Sequence, residues 1–202
     1  MQVFHGKNLN WEQYKFDNVR HLLGNREPGF ALMLEYLSTI QNPFIVETGC
    51  ARQVDNFWGD GQSSFIFDYV ANKQNGSFMT VDISKESVDY CISRSSPRSE
   101  IILEDSITFL KILNNEVNAK AIDLLYLDSF DAHEDVLEQS ALHHLYEFIT
   151  ILPCLKKGAL VAVDDNWQTP NGWSGKGKYI FDYMMKINTP PIYNGWQFIW
   201  RV

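Results

Sequence analysis

The sequence predicts an α/β fold: a seven-stranded, mainly parallel sheet with an antiparallel terminal strand, preceded by a helical cap. Three observations carry this. Apolar runs at Phe44-Ile45-Val46, Ile122-Asp123-Leu124-Leu125-Tyr126-Leu127 and Ala159-Leu160-Val161-Ala162-Val163 lack polar alternation, as strands covered on both faces do. Segments of helical pattern separate the strands, and such alternation implies right-handed crossovers and parallel pairing. Near the end, Asn194-Gly195 joins two short apolar runs, a two-residue hairpin signal that adds the antiparallel strand.

In chain order, residues 1–42 read as the helical cap. A mixed polar and aromatic helix covers 11–23, and a second covers 28–40 with the stripe Phe30, Leu34 and Leu37 before Asn42-Pro43 closes it. Strand one is 44–48, followed by a long glycine-containing loop at 49–62 and a helix at 63–75 that Asn75-Gly76 ends. Strand two is 77–82, and Ser84 caps a helix at 84–94. Strand three is 101–103 with a helix at 106–114, and strand four is 123–128 with a long helix at 132–152. Pro153 and Lys157-Gly158 turn the chain into strand five at 159–164. A glycine-rich loop at 171–177 precedes a helix at 179–187, and residues 192–193 and 196–200 form the final pair of strands. The 202 residues suit one domain, 1–202, with 1–42 as cap and 43–202 as core.

Composition narrows the function classes. Hydrophobic residues are 45% and charged residues 21% of the chain, an ordinary globular balance. A net charge of −8 disfavours nucleic acid and anionic membrane, which rely on neutralised phosphates. The three cysteines Cys50, Cys91 and Cys154 are far apart, so neither a disulfide framework nor a zinc knuckle is supported. No signal-peptide core opens the chain and no apolar stretch reaches membrane-spanning length. The expectation is a soluble cytoplasmic protein whose partner is a small molecule, with its oligomeric state left open.

Acidic residues stand at the carboxyl ends of the strands, where open α/β sheets bind ligands. They are Glu47, with Gly49 in the following turn, Asp82, Asp105 beside Ser106, Asp128, and the run Asp164-Asp165-Asn166. Adjacent parallel strands lie about 4.8 Å apart, so Asp128, Asp165 and Asn166 converge on one ion if strands four and five are neighbours. Two carboxylates and an amide oxygen are hard ligands suited to Mg²⁺. Asp164 competes for that role, since alternate strand residues face opposite sides. His133 lies just beyond Asp128 with Asp131 and Glu134 nearby, a candidate proton acceptor.

This order of strands and tips resembles the class I S-adenosylmethionine-dependent methyltransferases over residues 40–202. The resemblance implies a Rossmann-like doubly wound sheet, S-adenosylmethionine as cofactor, and, with it or without it, Mg²⁺. On it, Glu47 and Gly49 match the first motif, an acid followed by a glycine turn close to the cofactor. Ser63 and Ser64 match a Gly-Ser-Ser turn and would hydrogen-bond the methionyl carboxylate at the helix start, or cap that helix. Asp82 would accept from the ribose hydroxyls, or cap the following helix. Asp105 would bind the adenine amino group and Ser106 a ring nitrogen, with Asp105 also a good N-cap. Asp128, Asp165 and Asn166 resemble the metal site of catechol-type and macrocin-type O-methyltransferases, implying methylation of a small-molecule oxygen.

Two departures accompany the resemblance. The usual tight glycine series is replaced by Cys50 through Trp58 before Gly59-Asp60-Gly61-Gln62-Ser63-Ser64. The lysine that catechol-type enzymes place after the strand-four aspartate is absent; the position reads Ser129-Phe130-Asp131. His133 is then the best replacement base, with Asp128 the other catalytic candidate. In the loop at 171–177, Lys176 is available for an anion, with Trp167 and Trp173 as lids. Two rivals remain: a catalytically silent S-adenosylmethionine-binding module, and another nucleotide-binding Rossmann-like enzyme, which should show the compact GxGxxG that this chain lacks.

Overall fold

The computed structural model describes residues 1–60, 62–116 and 121–202; Gly61 of the Gly59–Ser64 motif lies outside them. The chain forms β1 (Gln2–His5), α1 (Phe16–Val19), α2 (Glu27–Ser38), β2 (Phe44–Thr48), α3 (Phe57–Asp60), α4 (Ser63–Lys73), β3 (Ser77–Asp82), α5 (Lys85–Arg94) and β4 (Glu100–Leu103). It continues with α6 (Ser106–Glu116), β5 (Ile122–Leu127), α7 (Leu137–Ile151), β6 (Leu155–Val163), β7 (Asn166–Thr169), β8 (Gly172–Gly175), α8 (Lys178–Lys186), β9 (Tyr193–Asn194) and β10 (Phe198–Arg201).

Eight strands make one sheet in the order β1-β4-β3-β2-β5-β6-β10-β9. The strands β2 to β6 pair in parallel, whereas β10 is antiparallel to both β6 and β9. The seven expected strands are all present. The eighth is β1, antiparallel to β4, so residues 1–42 are not a purely helical cap. The alternation of Gln2-Val3-Phe4-His5 half-buries Phe4 against the core while its neighbours stay exposed, a pattern that suits an edge strand. The helix expected at 11–23 is instead a series of short turns around α1, whereas α2 matches the second expected helix.

Two further segments differ from expectation. The helix after strand four begins at Leu137 rather than near 132, leaving His133 in a loop. Part of the glycine-rich loop is β8, which pairs antiparallel with β7 across the connection Pro170-Asn171.

Apolar layers cover both faces of the sheet. Ile45, Leu124 and Tyr126 face one with Phe30, Phe67 and Phe78; Val46, Leu125 and Leu127 face the other with Phe109, Phe148 and Trp200. Every residue of β5 is buried, which explains its largely apolar sequence; the one charged residue, Asp123, is paired with Lys156. Burial of each large aliphatic side chain there contributes about 1.5–3 kcal/mol. Registers fix the site: Thr48 lies opposite Leu127, and Leu127 opposite Val163. The next residues, Gly49, Asp128 and Asp164, therefore reach the same sheet edge, beside the point between β2 and β5 where the strand order reverses. Among the described residues no helix is long and apolar enough to cross a membrane.

Candidate active site

A cavity of about 570 Å³ opens at the carboxyl ends of β2, β3 and β4, lined by Gly49, Arg52, Asp82, Asp105, Ser106, Ser129, Asp131, His133 and His143 among others. Gly49 has φ +81°, and a Cβ there would lie 2.3 Å from the Asp128 carbonyl oxygen, so only glycine fits this crossing of chains. Asp82 accepts from the Ser84 N–H at 2.7 Å and from the Cys50 N–H at 3.2 Å, which ties the β2 and β3 loops together. Burial raises its pKa against those hydrogen bonds. Asp105 accepts from the Thr108 N–H at 2.8 Å, so one of its oxygens caps α6 while the residue lines the cavity.

Three of the expected cofactor residues do not line this cavity. Glu47, Ser63 and Ser64 are buried behind it. Ser64 donates to Glu47 Oε2 at 2.5 Å and accepts from the Ala51 N–H at 3.0 Å, while Thr80 donates to the same Glu47 oxygen at 2.6 Å. The trio thus holds the loop after β2 from beneath. Burial raises the Glu47 pKa to about 7, and the Ser63, Ser64 and Thr80 hydrogen bonds oppose the rise. The start of the following loop is tied to them through Ala51, and the sequence carries no sign of how deep they lie.

At the tips of β5 and β6, Asp128, Asp164 and Asp165 bring carboxylate oxygens within 4.8 Å of one another. Asp164 and Asp165 both join because β6 ends at Val163 and Asp165 is left-handed, φ +53°, which breaks the alternation expected of a strand. Asn166, the next residue, is engaged in hydrogen bonds. Its Oδ1 accepts from the Gly177 N–H at 2.7 Å and its Nδ2 donates to the Val163 carbonyl at 2.8 Å, so the amide is spent on the turn.

The cluster also contains cations that the strand pattern does not reveal. Arg26 donates from Nε to Asp164 at 2.6 Å and from a terminal nitrogen to Asp165 at 2.8 Å. Lys176, 1% exposed, is ion-paired with Asp128 and lies 2.9 Å from Asp165. Burial works against the Lys176 charge, yet Asp128, Asp165 and Asp164 hold its pKa above the ordinary value. Burial pushes Asp164 up, whereas Lys176 and Arg26 overcome burial and keep Asp165 low. Asp164 Oδ1 is buried and accepts no hydrogen bond among the described residues. Burial also pushes the Asp128 carboxyl well above the ordinary range, against the opposing charge of Lys176. The orphaned Asp164 oxygen is one a cation would satisfy. The donors are hard oxygens, so Asp128, Asp164 and Asp165 fit Mg²⁺.

His133 is in contact with both this region and the first cavity. It lines the 570 Å³ cavity and a second of about 310 Å³ bounded by Asp165, Trp167 and Trp196. Its side chain is 73% exposed, and Nε2 stands 3.9 Å from Asp131. Arg52 and Asp131 border both cavities and form a bidentate pair at 2.7 and 2.8 Å. Below the first cavity, His143 Nε2 lies 2.9 Å from Ser106 Oγ and 3.2 Å from Glu147. Burial would raise Glu147, but hydrogen bonding and charge from His143, with His144 near, bring its pKa down to about 2. Sequence reading missed Arg26, Arg52 and Glu147. Arg52 had a visible signal, a lone cation just after the glycine turn; Arg26, 138 positions from Asp164, had none.

No protein-family model matches the chain, and no curated protein matches it in sequence. Solved structures do. MycE methyltransferase from the mycinamycin biosynthetic pathway, in complex with Mg, SAH and mycinamycin VI, is 15% identical with a TM-score of 0.58 over 87% of this chain and 48% of that one. The chain thus spans about half the length of the MycE chain. The 1,6-didemethyltoxoflavin-N1-methyltransferase of Burkholderia thailandensis, with bound 1,6-didemethyltoxoflavin and S-adenosylhomocysteine, is 10% identical with a TM-score of 0.51, covering 92% of this chain and 81% of that one. The fold of this chain is the class I methyltransferase fold.

Proposed function

We propose that the protein is an S-adenosylmethionine-dependent methyltransferase acting on an oxygen of a small molecule. The observation that carries this is the pairing of cavities. The first, at the strand-order switch point, has Gly49, Asp82, Asp105 and Ser106 on its wall, and it shares Arg52, Asp131 and His133 with a second that reaches Asp165. A cofactor in the first would face an acceptor in the second. Asp82 would take the ribose hydroxyls, and Asp105 with Ser106 the adenine edge. Trp167 and Trp196 would exclude water from the acceptor, and His133, at the junction, would take its proton. Asp128, Asp164 and Asp165 would hold Mg²⁺ if it is bound; the ion would orient acceptor oxygens and stabilise the developing oxyanion. That MycE was solved with Mg and SAH supports this reading.

Calorimetry with S-adenosylmethionine and S-adenosylhomocysteine tests it. Binding is expected, and Asp82→Ala should weaken it by about 1–3 kcal/mol because a charged acceptor is lost from the ribose. No heat from either ligand at millimolar concentration would refute the reading. Binding without transfer to any oxygen acceptor would favour the catalytically silent relative instead.

A further inference from the structure

The acidic cluster is built with an ammonium already inside it. The β7–β8 hairpin returns the chain to the tip of β6, where the Lys176 N–H donates to the Asp165 carbonyl at 3.2 Å. Gly175 permits this return: its φ is +107°, and a Cβ would lie 2.1 Å from that same carbonyl oxygen. The Lys176 side chain, 1% exposed, then reaches Asp128 and lies 2.9 Å from Asp165 Oδ2. Arg26 occupies different oxygens, Asp164 Oδ2 and Asp165 Oδ1, and is anchored at its far end by the Trp58 carbonyl at 2.8 Å.

Resting on the reading above, we propose that Lys176 is a tethered competitor for the divalent ion: metal binds Asp128 and Asp165 only when the Lys176 ammonium withdraws, and this residue sets the metal affinity of the site. An ion at about 2.0–2.1 Å from Asp128 Oδ1 and Asp165 Oδ2 would crowd the ammonium that already lies against those two oxygens. A dication and an ammonium sharing two carboxylates repel one another strongly even at an effective dielectric constant of about 20, so one must leave. Arg26 can stay, because its oxygens are not those that Lys176 holds. The orphaned, buried Asp164 Oδ1 gives the incoming ion a partner that the ammonium does not reach. The exchange makes metal uptake a displacement of one side chain.

The experiment uses the full chain with Mn²⁺ as probe, followed by calorimetry and by loss of the free-ion paramagnetic resonance signal. Lys176→Gln should bind one Mn²⁺ about tenfold tighter than wild type or better, and Lys176→Arg no tighter than wild type. Equal affinity of the glutamine variant and wild type overturns the proposal, as does no Mn²⁺ uptake by either. If the glutamine variant does not fold, the wild type still decides. Saturating Mg²⁺ should increase modification of Lys176 by an amine-reactive reagent, read by mass spectrometry, and unchanged labelling overturns the exchange. S-adenosylhomocysteine calorimetry on the same samples separates the two ideas. Intact cofactor binding with no Lys176 effect sinks only the competitor, whereas absent cofactor binding sinks the methyltransferase reading.

Discussion

Glu47 is a carboxylate sealed from water, with Oε1 accepting no hydrogen bond among the described residues. Burial lifts its pKa from 4.5 to about 7, so the folded state holds a proton that the unfolded chain releases earlier. The stability linked to this group is fully present below pH 4.5 and is lost as pH rises through about 7. A shift of that size corresponds to about 3 kcal/mol. Glu47→Gln should therefore flatten the decline between about pH 5 and pH 8 and be more stable than wild type at the upper end by about 2–3 kcal/mol. Guanidinium unfolding at both pH values checks this, and a wild type more stable at the higher pH contradicts it. At the same scale, His133→Ala should lower kcat by about a hundredfold while leaving S-adenosylhomocysteine affinity alone. An unchanged rate once an acceptor is known would remove His133 from the chemistry. Asp82 and Asp128 were legible because each ends an apolar run; Arg26 was not, because no local pattern marks a residue whose partners lie 138 and 139 positions away.

The β7–β8 hairpin is one element that the sequence hid; the edge strand β1 is another. Asn166-Trp-Gln-Thr and Gly172-Trp-Ser-Gly have turn residues where strands have β-branched ones, so they read as a loop. By contrast β2, β5 and β6 announce themselves through the apolar runs 44–46, 124–127 and 159–163. The hairpin is pinned at its base by Asn166, whose amide accepts from Gly177 and donates to Val163. Asn166→Ala should cost about 1–3 kcal/mol, because buried backbone groups lose their partners. Urea unfolding measures it. A variant with wild-type stability but weakened metal binding would return Asn166 to the ligand set expected from the strand tips. The start of α7 shows a second limit of pattern: His133-Glu134-Asp135 suits a helix, but Ser140 donates to the Phe130 carbonyl at 2.6 Å and the preceding loop folds back on the helix start.

The whole molecule places its chemistry by strand order. Because the strand order reverses between β2 and β5, the helices that follow them, α4 and α7, pack on opposite faces of the sheet, and the cavity opens at that edge. That much follows from alternating strands and helices. The closing of the sheet by β1 at one edge and by β9 and β10 at the other is partly legible: Asn194-Gly195 signals a hairpin, although Asn194 pairs with Phe198 and the turn is the three residues 195–197, and nothing marks β1. A ligand in the cavity would join the β2, β3, β4 and β5 loops, none of which is covalently tied to another. Its binding energy should therefore appear as stability of the whole sheet rather than as a local change. At a hundred times its dissociation constant a ligand specific for the folded state adds about 2.7 kcal/mol. For a chain of this size that corresponds to a rise in Tm of about 5–10 °C. S-adenosylhomocysteine should produce this rise, and adenosine, which leaves the methionyl end empty, a smaller one. Asp82→Ala should reduce both, because both carry the ribose. Equal shifts from the two ligands would place recognition in the adenosine half alone.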